Sequence, residues 1–424
     1  MLLSLVEQNK KWTEWPSSVP VDALRAQSRL WKKALRLKEE PFPVVSGRGG
    51  KSFVQAKGVT GFLSVGSLRV EVAPKFLSAG GMDNRAWHGA LWRILSLIED
   101  EPLSMPSVTA QETSEEALPD LLGWILLDGL RRAQSLGLPR GYTEQEGSLP
   151  VLRGRLDSSR LGELLWQPHL LPCVFDVYAE DVPLNRLLRW AASSLAEVVE
   201  SSSLSRSLSD ESMALGEVSP HPPGLVEAEN LFLPVQHAHL EGAFHVARLL
   251  LRRQSLQHEV DDHAAPAYLW KSSDVFERFV RYLLAQVCAR RGWHLSKPTQ
   301  PLAQPLSPKA ERITTIPDYL ISSHRKVLLS LDAKYKVGQP KSDDVYQVMA
   351  VGRINACPHV GLIYPAPFAG ATARTWRICG LGDPQKLTAL YVDLLQMATR
   401  KGEDDLVGQL ANDLSLILNL SNGS

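Results

Sequence analysis

The sequence predicts a multidomain α+β protein. It would have a small β-rich region with helices at the N-terminus, a largely helical middle, and a C-terminal α/β domain built on a mixed sheet. Three observations lead there. At 424 residues the chain is too long for one ordinary hydrophobic core, so two or three domains are expected. The stretch "SFVQAKGVTGFLSVGSLRVEVAPKF" is punctuated by glycine and alternates at Leu68, Val70 and Val72, as half-buried strands do. From about Ala265 the pattern becomes helix, strands, helix, strand, which is the order of an α/β domain. The expected divisions are 1–150, 151–264 and 265–424.

Element by element, the first 40 residues read as helical, with Trp, Leu and basic residues mixed in "ALRAQSRLWKKALRLKEE". After the glycine-rich strands come two helices, "NRAWHGALWRILSLIED" and "EALPDLLGWILLDGLRRAQSLG", the second stopped by Gly137 with Pro139 beyond. "GYTEQEGSLPVLRGRLD" is a small β element. The middle holds "EDVPLNRLLRWAASSLAEVVE" and "LEGAFHVARLLLRRQ", separated by serine-rich "ESSSLSRSLSDES", expected as a loop or helix end. "SSDVFERFVRYLLAQVCARRG" is an amphipathic helix, with Ser272 and Ser273 as N-caps and Gly292 as the stop. A proline-rich run follows (Pro298, Pro301, Pro305, Pro308), then a hairpin, the helix "SDDVYQVMAVGRIN", the strands "HVGLIYPA" and "RTWRICGL", and two final amphipathic helices. There is no internal repeat.

Composition narrows the function classes. Lys+Arg and Asp+Glu number 46 each, so no global positive field draws the chain to nucleic acid; local patches or a partner must do so. Cys173, Cys288, Cys357 and Cys379 form no CxxC pair, which excludes a cysteine-based zinc ribbon and points to reduced thiols. The apolar run in "MLLSLVEQNKKW" is too short for a signal peptide, and no stretch of apolar residues is long enough to span a bilayer. A soluble, cytoplasmic protein without membrane contact is expected. "SGRGGKS" lacks the first glycine of a phosphate-binding loop, since Val45 stands there, and it precedes a strand rather than a helix. His237, His239 and His245 lack zinc-site spacing, as does His263, and read as ordinary polar residues. The pairs Arg131-Arg132, Arg252-Arg253 and Arg290-Arg291 lie late in helices, where the helix dipole accounts for them.

The segment "IPDYLISSHRKVLLSLDAKYK" is the chemical focus. Asp318, Asp332 and Lys334 interrupt an otherwise apolar hairpin, and burying such charges is costly unless they pair or hold a metal. Asp318 and Asp332 are expected on neighbouring strands. Asp332 and Lys334, two apart, would share a face. Two carboxylates and an ammonium around one point suit metal-assisted phosphodiester hydrolysis, with Mg²⁺ on the acids and the lysine at the water. A surface salt-bridge cluster accounts for so short a string equally well. Upstream, Glu277 in "VFERFV" sits beside the apolar face of its helix, from which it could reach the metal; a solvated helix carboxylate is the plainer account. Downstream, Gln347 in "DDVYQVMA" could orient water or phosphate, or simply face solvent.

Helix-Glu, strand-Asp, strand-DxK and helix-Gln in this order resembles the PD-(D/E)xK nuclease superfamily. "FLSVGSLRVEVAPKF", "LRGRLD", "CVFDVYAEDVPLNRLLRWAASSL", "VFERFVRYLL", "IPDYLI", "LDAKYK" and "DDVYQVMAVGRI" look like the McrC family, the nuclease subunit of McrBC modification-dependent restriction systems. The resemblance runs from about Gly47 to Tyr364. It departs after "YQ", where the family usually has an aromatic and this chain has "MAVGR". It implies an antiviral Mg²⁺-dependent DNA endonuclease acting on 5-methylcytosine-type double-stranded DNA. Asp318, Asp332, Lys334, Glu277 and Gln347 would be catalytic, with Asp318, Asp332 and Glu277 as metal ligands and Gln347 on the helix after the hairpin. Gly154, Asp181 and Asn185 would be structural. It further implies docking of the 1–150 region on a McrB-type AAA+ ring, which binds the GTP and whose hydrolysis this chain stimulates. A catalytically idle adaptor of an AAA+ partner and a helicase-coupled repair nuclease are the alternatives.

Overall fold

The computed structural model describes residues 2–8, 11–76, 86–98, 118–258, 267–306, 311–324, 326–336, 338–357, 359–379, 386–399 and 401–418. By spatial contact the chain forms two compact units, one of residues 1–102, 108–118 and 260–424, the other of 103–107 and 119–259. His263 lies outside the described residues.

The first unit opens with β1 (Leu2–Val6), β2 (Thr13–Trp15), α1 (Val21–Ala34), β3 (Val44–Ser46), β4 (Ser52–Val54), β5 (Val59–Val65), β6 (Leu68–Ala73) and α2 (Ala86–Ile98). The glycine-punctuated segment is strands, as its alternation predicts. Leu68, Val70 and Val72 are buried, and with Leu24 and Trp31 of α1 they belong to one apolar core. The first 40 residues, however, are not simply helical. β1 and β2 precede α1, because β1 gains its partner from β6 in parallel register (Leu2↔Arg69), a pairing no local pattern displays.

The second unit contains α3 (Leu118–Leu136), β7 (Gly141–Leu149), β8 (Arg155–Leu156), β9 (Leu171–Ala179), α4 (Pro183–Val198), α5 (Ser202–Ala214), α6 (Leu225–Glu229) and α7 (Glu241–His258). β9 is central and pairs antiparallel with both β7 and β8. The serine-rich patch is a helix, not a loop. The Ser201 hydroxyl caps it by accepting from the Leu204 N–H at 3.3 Å, and Leu204 and Leu208, four apart, are buried. Asp181 takes the Arg186 guanidinium at 2.7 and 2.8 Å and the Ser219 N–H at 2.9 Å. Asn185 Nδ2 donates to the carbonyls of Pro139 (2.8 Å) and Glu180 (2.7 Å). Gly154 has φ +69°, and a Cβ there would stand 2.2 Å from the Val174 carbonyl oxygen.

The chain then returns to the first unit with β10 (Ala267–Lys271), α8 (Ser272–Arg291), β11 (His294–Ser296), β12 (Gln300–Ala303), β13 (Ile313–Thr315), β14 (Tyr319–Ser323), β15 (Lys326–Ala333), α9 (Ser342–Ile354), β16 (His359–Pro365), β17 (Arg374–Arg377), β18 (Lys386–Val392) and α10 (Gly402–Ile417). Six strands form the expected mixed sheet in the order β11-β14-β15-β16-β18-β17. β15, β16 and β18 run parallel, and the other three join antiparallel.

The observed grouping departs from the expected three-part division in two places. The 264/265 boundary falls just before β10, which hydrogen-bonds to β5 and so completes the N-terminal sheet in the order β1-β6-β5-β10. The 150/151 boundary separates β7 from its partner β9. Two local expectations also change. Ser272 and Ser273 are the first helical residues of α8, with Lys271 at the cap position, whereas Gly292 does end the helix in the left-handed conformation. Of the two closing helices only α10 forms. "KLTALYV" is β18, buried along nearly its whole length, and a continuous apolar run cannot be told from a buried helix by periodicity. Among the described residues no helix is long and apolar enough to cross a membrane, and all four cysteines are free.

Replacing Gly154 by alanine forces a side chain onto the Val174 carbonyl at a positive φ. Urea unfolding followed by tryptophan fluorescence is expected to show a loss of about 2 kcal/mol or more.

Candidate active site

β14 and β15 pair antiparallel with Tyr319 opposite Leu331. One step further along that register brings Asp318, the residue before β14, level with Asp332 near the end of β15. Asp318 is therefore not on a strand, as the sequence suggests, but at the strand's threshold, where its Oδ2 accepts the Ala333 N–H at 3.0 Å. Both carboxylates are sheltered, with side chains 19% and 6% exposed. Burial, and after it the charge of Asp318, pushes the Asp332 carboxyl above the usual range, against the pull of Lys334.

Lys334 follows the last residue of β15. Its N–H donates to the Ile363 carbonyl at 2.8 Å, which prolongs the pairing with β16 and fixes the backbone. Its Nζ lies 2.5 Å from Asp332 Oδ2 and donates to Gln347 Oε1 at 2.8 Å. Gln347, from α9, returns a bond from Nε2 to Asp332 Oδ1 at 3.3 Å. Four of the five residues singled out from the sequence thus converge: Asp318, Asp332, Lys334 and Gln347.

Glu277 does not join them directly. Its Oε1 pairs with Lys297 Nζ at 2.6 Å, and that ammonium is 3.7 Å from Asp318 Oδ1. Lys297, one residue beyond β11, is a site residue that sequence reasoning missed; as a lone lysine before a proline-rich run it offers no spacing signal. The turn of α8 carrying Glu277 is tied to the hairpin by the Tyr319 hydroxyl, which donates to the Glu277 carbonyl at 2.6 Å.

The N-terminal sheet also reaches this place. Tyr335, next to Lys334, donates its hydroxyl to Glu7 Oε2 at 2.5 Å, and Lys75 Nζ donates to the Tyr335 carbonyl at 3.1 Å. Burial raises Glu7, opposed by the Tyr335 hydroxyl and by Lys75. Phe76 packs edge-on against the Tyr335 ring, 4.7 Å between centroids.

Among the described residues no three His, Cys, Asp or Glu side chains are grouped closely enough to cage a metal. The pair Asp318–Asp332 nevertheless suits Mg²⁺, a hard cation that keeps several waters and is held by one or two carboxylates together with substrate phosphate. The raised Asp332 carboxyl marks a place where added positive charge is favourable.

A carboxyl whose folded pKa is raised is disfavoured as the anion, so its penalty on folding is full above that pKa and is relieved as pH falls through it. Asp332→Asn is therefore expected to melt above the wild type at about pH 8 without divalent metal, with the difference shrinking toward about pH 5. Thermal melts across that range measure it.

The profile of a family described as "McrBC 5-methylcytosine restriction system component" matches residues 54–365. No curated protein matches the sequence. A chain from the "refined half-complex from tetradecameric assembly of Thermococcus gammatolerans McrB AAA+ hexamers with bound McrC" has a similar fold, with TM-score 0.70 at 17% identity, covering 97% of this chain and 100% of that one. A chain from the cryo-EM structure of the Thermococcus gammatolerans McrBC complex overlaps less, with TM-score 0.49 at 16% identity, covering 68% of this chain and 88% of that one. With well over half of its residues inside the family match, the chain belongs to the McrBC 5-methylcytosine restriction system component family.

Proposed function

We propose that this chain is a McrC-type subunit and a Mg²⁺-dependent DNA endonuclease of the PD-(D/E)xK kind. It would cut double-stranded DNA when docked on a McrB-type AAA+ ring whose GTPase it stimulates. The observation that carries the reading is the convergence of Asp318, Asp332, Lys334 and Gln347 at the end of β15. Family membership and the fold likeness to a chain of a McrB–McrC assembly support the partner. The balanced charge of the chain is consistent with a ring that supplies much of the DNA affinity.

Asp318 and Asp332 would hold Mg²⁺. The chemistry a bound Mg²⁺ supplies is Lewis-acid stabilisation of the charge that builds on the phosphate oxygens. Lys334, already beside Asp332, turns its ammonium to the scissile phosphate and to the attacking water, offsetting negative charge as it develops. Gln347 keeps Lys334 and Asp332 in register with α9. Glu277 acts through Lys297 in the resting arrangement, and joins the ligand set only if that lysine swings away.

Mixed with its ring, GTP and modified duplex, wild type should cut, while Asp318→Asn, Asp332→Asn and Lys334→Ala should each lose about 100-fold or more. Circular dichroism should show an intact fold. Efficient cutting by Asp332→Asn ends the nuclease assignment. The chain alone should cut little and hydrolyse no GTP. Raised GTP turnover on adding it to the ring, undiminished by Asp332→Asn, is the result expected of the docking role.

A further inference from the structure

At the C-terminal ends of β15, β16 and β18 lies an open cleft of about 170 Å³, bordered by Gly338, Gln339, Phe368, Thr372, Arg374 and Tyr391. In α/β sheets this is the edge outside which ligands bind. The candidate catalytic residues Asp332 and Lys334 stand at the same edge. The register gives a direct relation between them. Asp332 pairs with Leu362, Leu362 with Ala389, and Ala389 with Arg374, one row across four strands. Paired residues share a face, so Asp332 and Arg374 are on the same side of the sheet, three strand spacings or about 14 Å apart.

The chemistry of the cleft is one-sided. Among the described residues no carboxylate borders it, in contrast to the three acids around Lys297 and Lys334. Among the described residues Arg374 makes no ion pair, and it is exposed. Phe368, 62% exposed, presents an aromatic ring at the rim. An unpaired guanidinium and an exposed ring bordering one groove are what a nucleic-acid strand needs: a cation for phosphate and a flat apolar surface for a base or sugar. The separation of about 14 Å corresponds to roughly four nucleotides at ~3.4 Å of rise each along B-form DNA.

We propose that this cleft is a DNA-strand subsite, in which Arg374 takes a backbone phosphate a few nucleotides from the one being cut and Phe368 packs on the neighbouring nucleotide. The proposal rests on the nuclease reading above. It assigns the strand a path from the Asp318–Asp332 pair past the C-terminal ends of β16 and β18 to the β17 edge, since Leu362 and Ala389 on the intervening row are buried. Arg377, on the same strand as Arg374 but paired with Lys386, three residues along and on the opposite face, is the internal control.

The test uses the full chain assembled with its ring, and a fluorescein-labelled 30-bp modified duplex. Ca²⁺ replaces Mg²⁺ for binding, measured from about 50 to 200 mM KCl. Arg374→Ala should weaken binding about 5- to 10-fold and lower the salt slope by about one. Phe368→Ala should weaken binding about 5-fold with the slope unchanged. Arg377→Ala should do neither. Unchanged affinity and slope for Arg374→Ala, or an equal loss for Arg377→Ala, overturns the subsite. Asp332→Asn in Mg²⁺ keeps the two ideas apart. If it is inactive while Arg374→Ala binds and cuts as wild type, only the subsite falls. If it still cuts, the nuclease reading falls. Absence of DNA binding by the wild-type assembly overturns both.

Discussion

Asp318 and Asp332 meet where β14 begins and β15 ends, sheltered enough that two full negative charges are costly without a cation. Every neighbour of the pair answers that cost. Lys334 lies against Asp332, Lys297 approaches Asp318, and the Ala333 N–H and the Gln347 amide donate to the carboxylate oxygens. Removing water makes these interactions strong, and for the same reason makes an unbalanced charge expensive. The Asp332 carboxyl remains raised even so, which leaves the site with an appetite for positive charge.

That arrangement depends on parts of the chain far from it in sequence. Lys334 is held by β16 through its backbone and by α9 through its side chain, while its neighbour Tyr335 is anchored to Glu7 and Lys75 of the N-terminal region. Tyr319 ties α8 to the hairpin. The N-terminal strands and the mixed sheet therefore form a single compact unit, with β10 hydrogen-bonded to β5. A disturbance at Glu7 has a short covalent and hydrogen-bonded route to Lys334.

Membership of the McrBC restriction family gives this geometry its context. A chain with equal numbers of acidic and basic side chains has no overall charge to attract an anionic partner over long range, so any such attraction rests on local positive surface. Lys334 and Lys297 are engaged with acids, whereas Arg374 stands apart from them across the sheet. This separation lets carboxylates and an unpaired cation coexist on one sheet edge without cancelling.

The sequence alone determined the α/β character of the C-terminal half, the β14–β15 hairpin, and the helix carrying Gln347. Each is written in local spacing or alternation over a few residues. It misread "KLTALYV" and the serine-rich patch, because a fully buried run has no periodicity and a serine cap resembles a loop. Only the tertiary structure decided that β10 completes the N-terminal sheet, that Lys297 stands between Glu277 and Asp318, and that Tyr335 bonds Glu7. Those are meetings of residues distant along the chain, set by strand register and helix packing, and no short-range pattern of side chains records which distant partner will arrive.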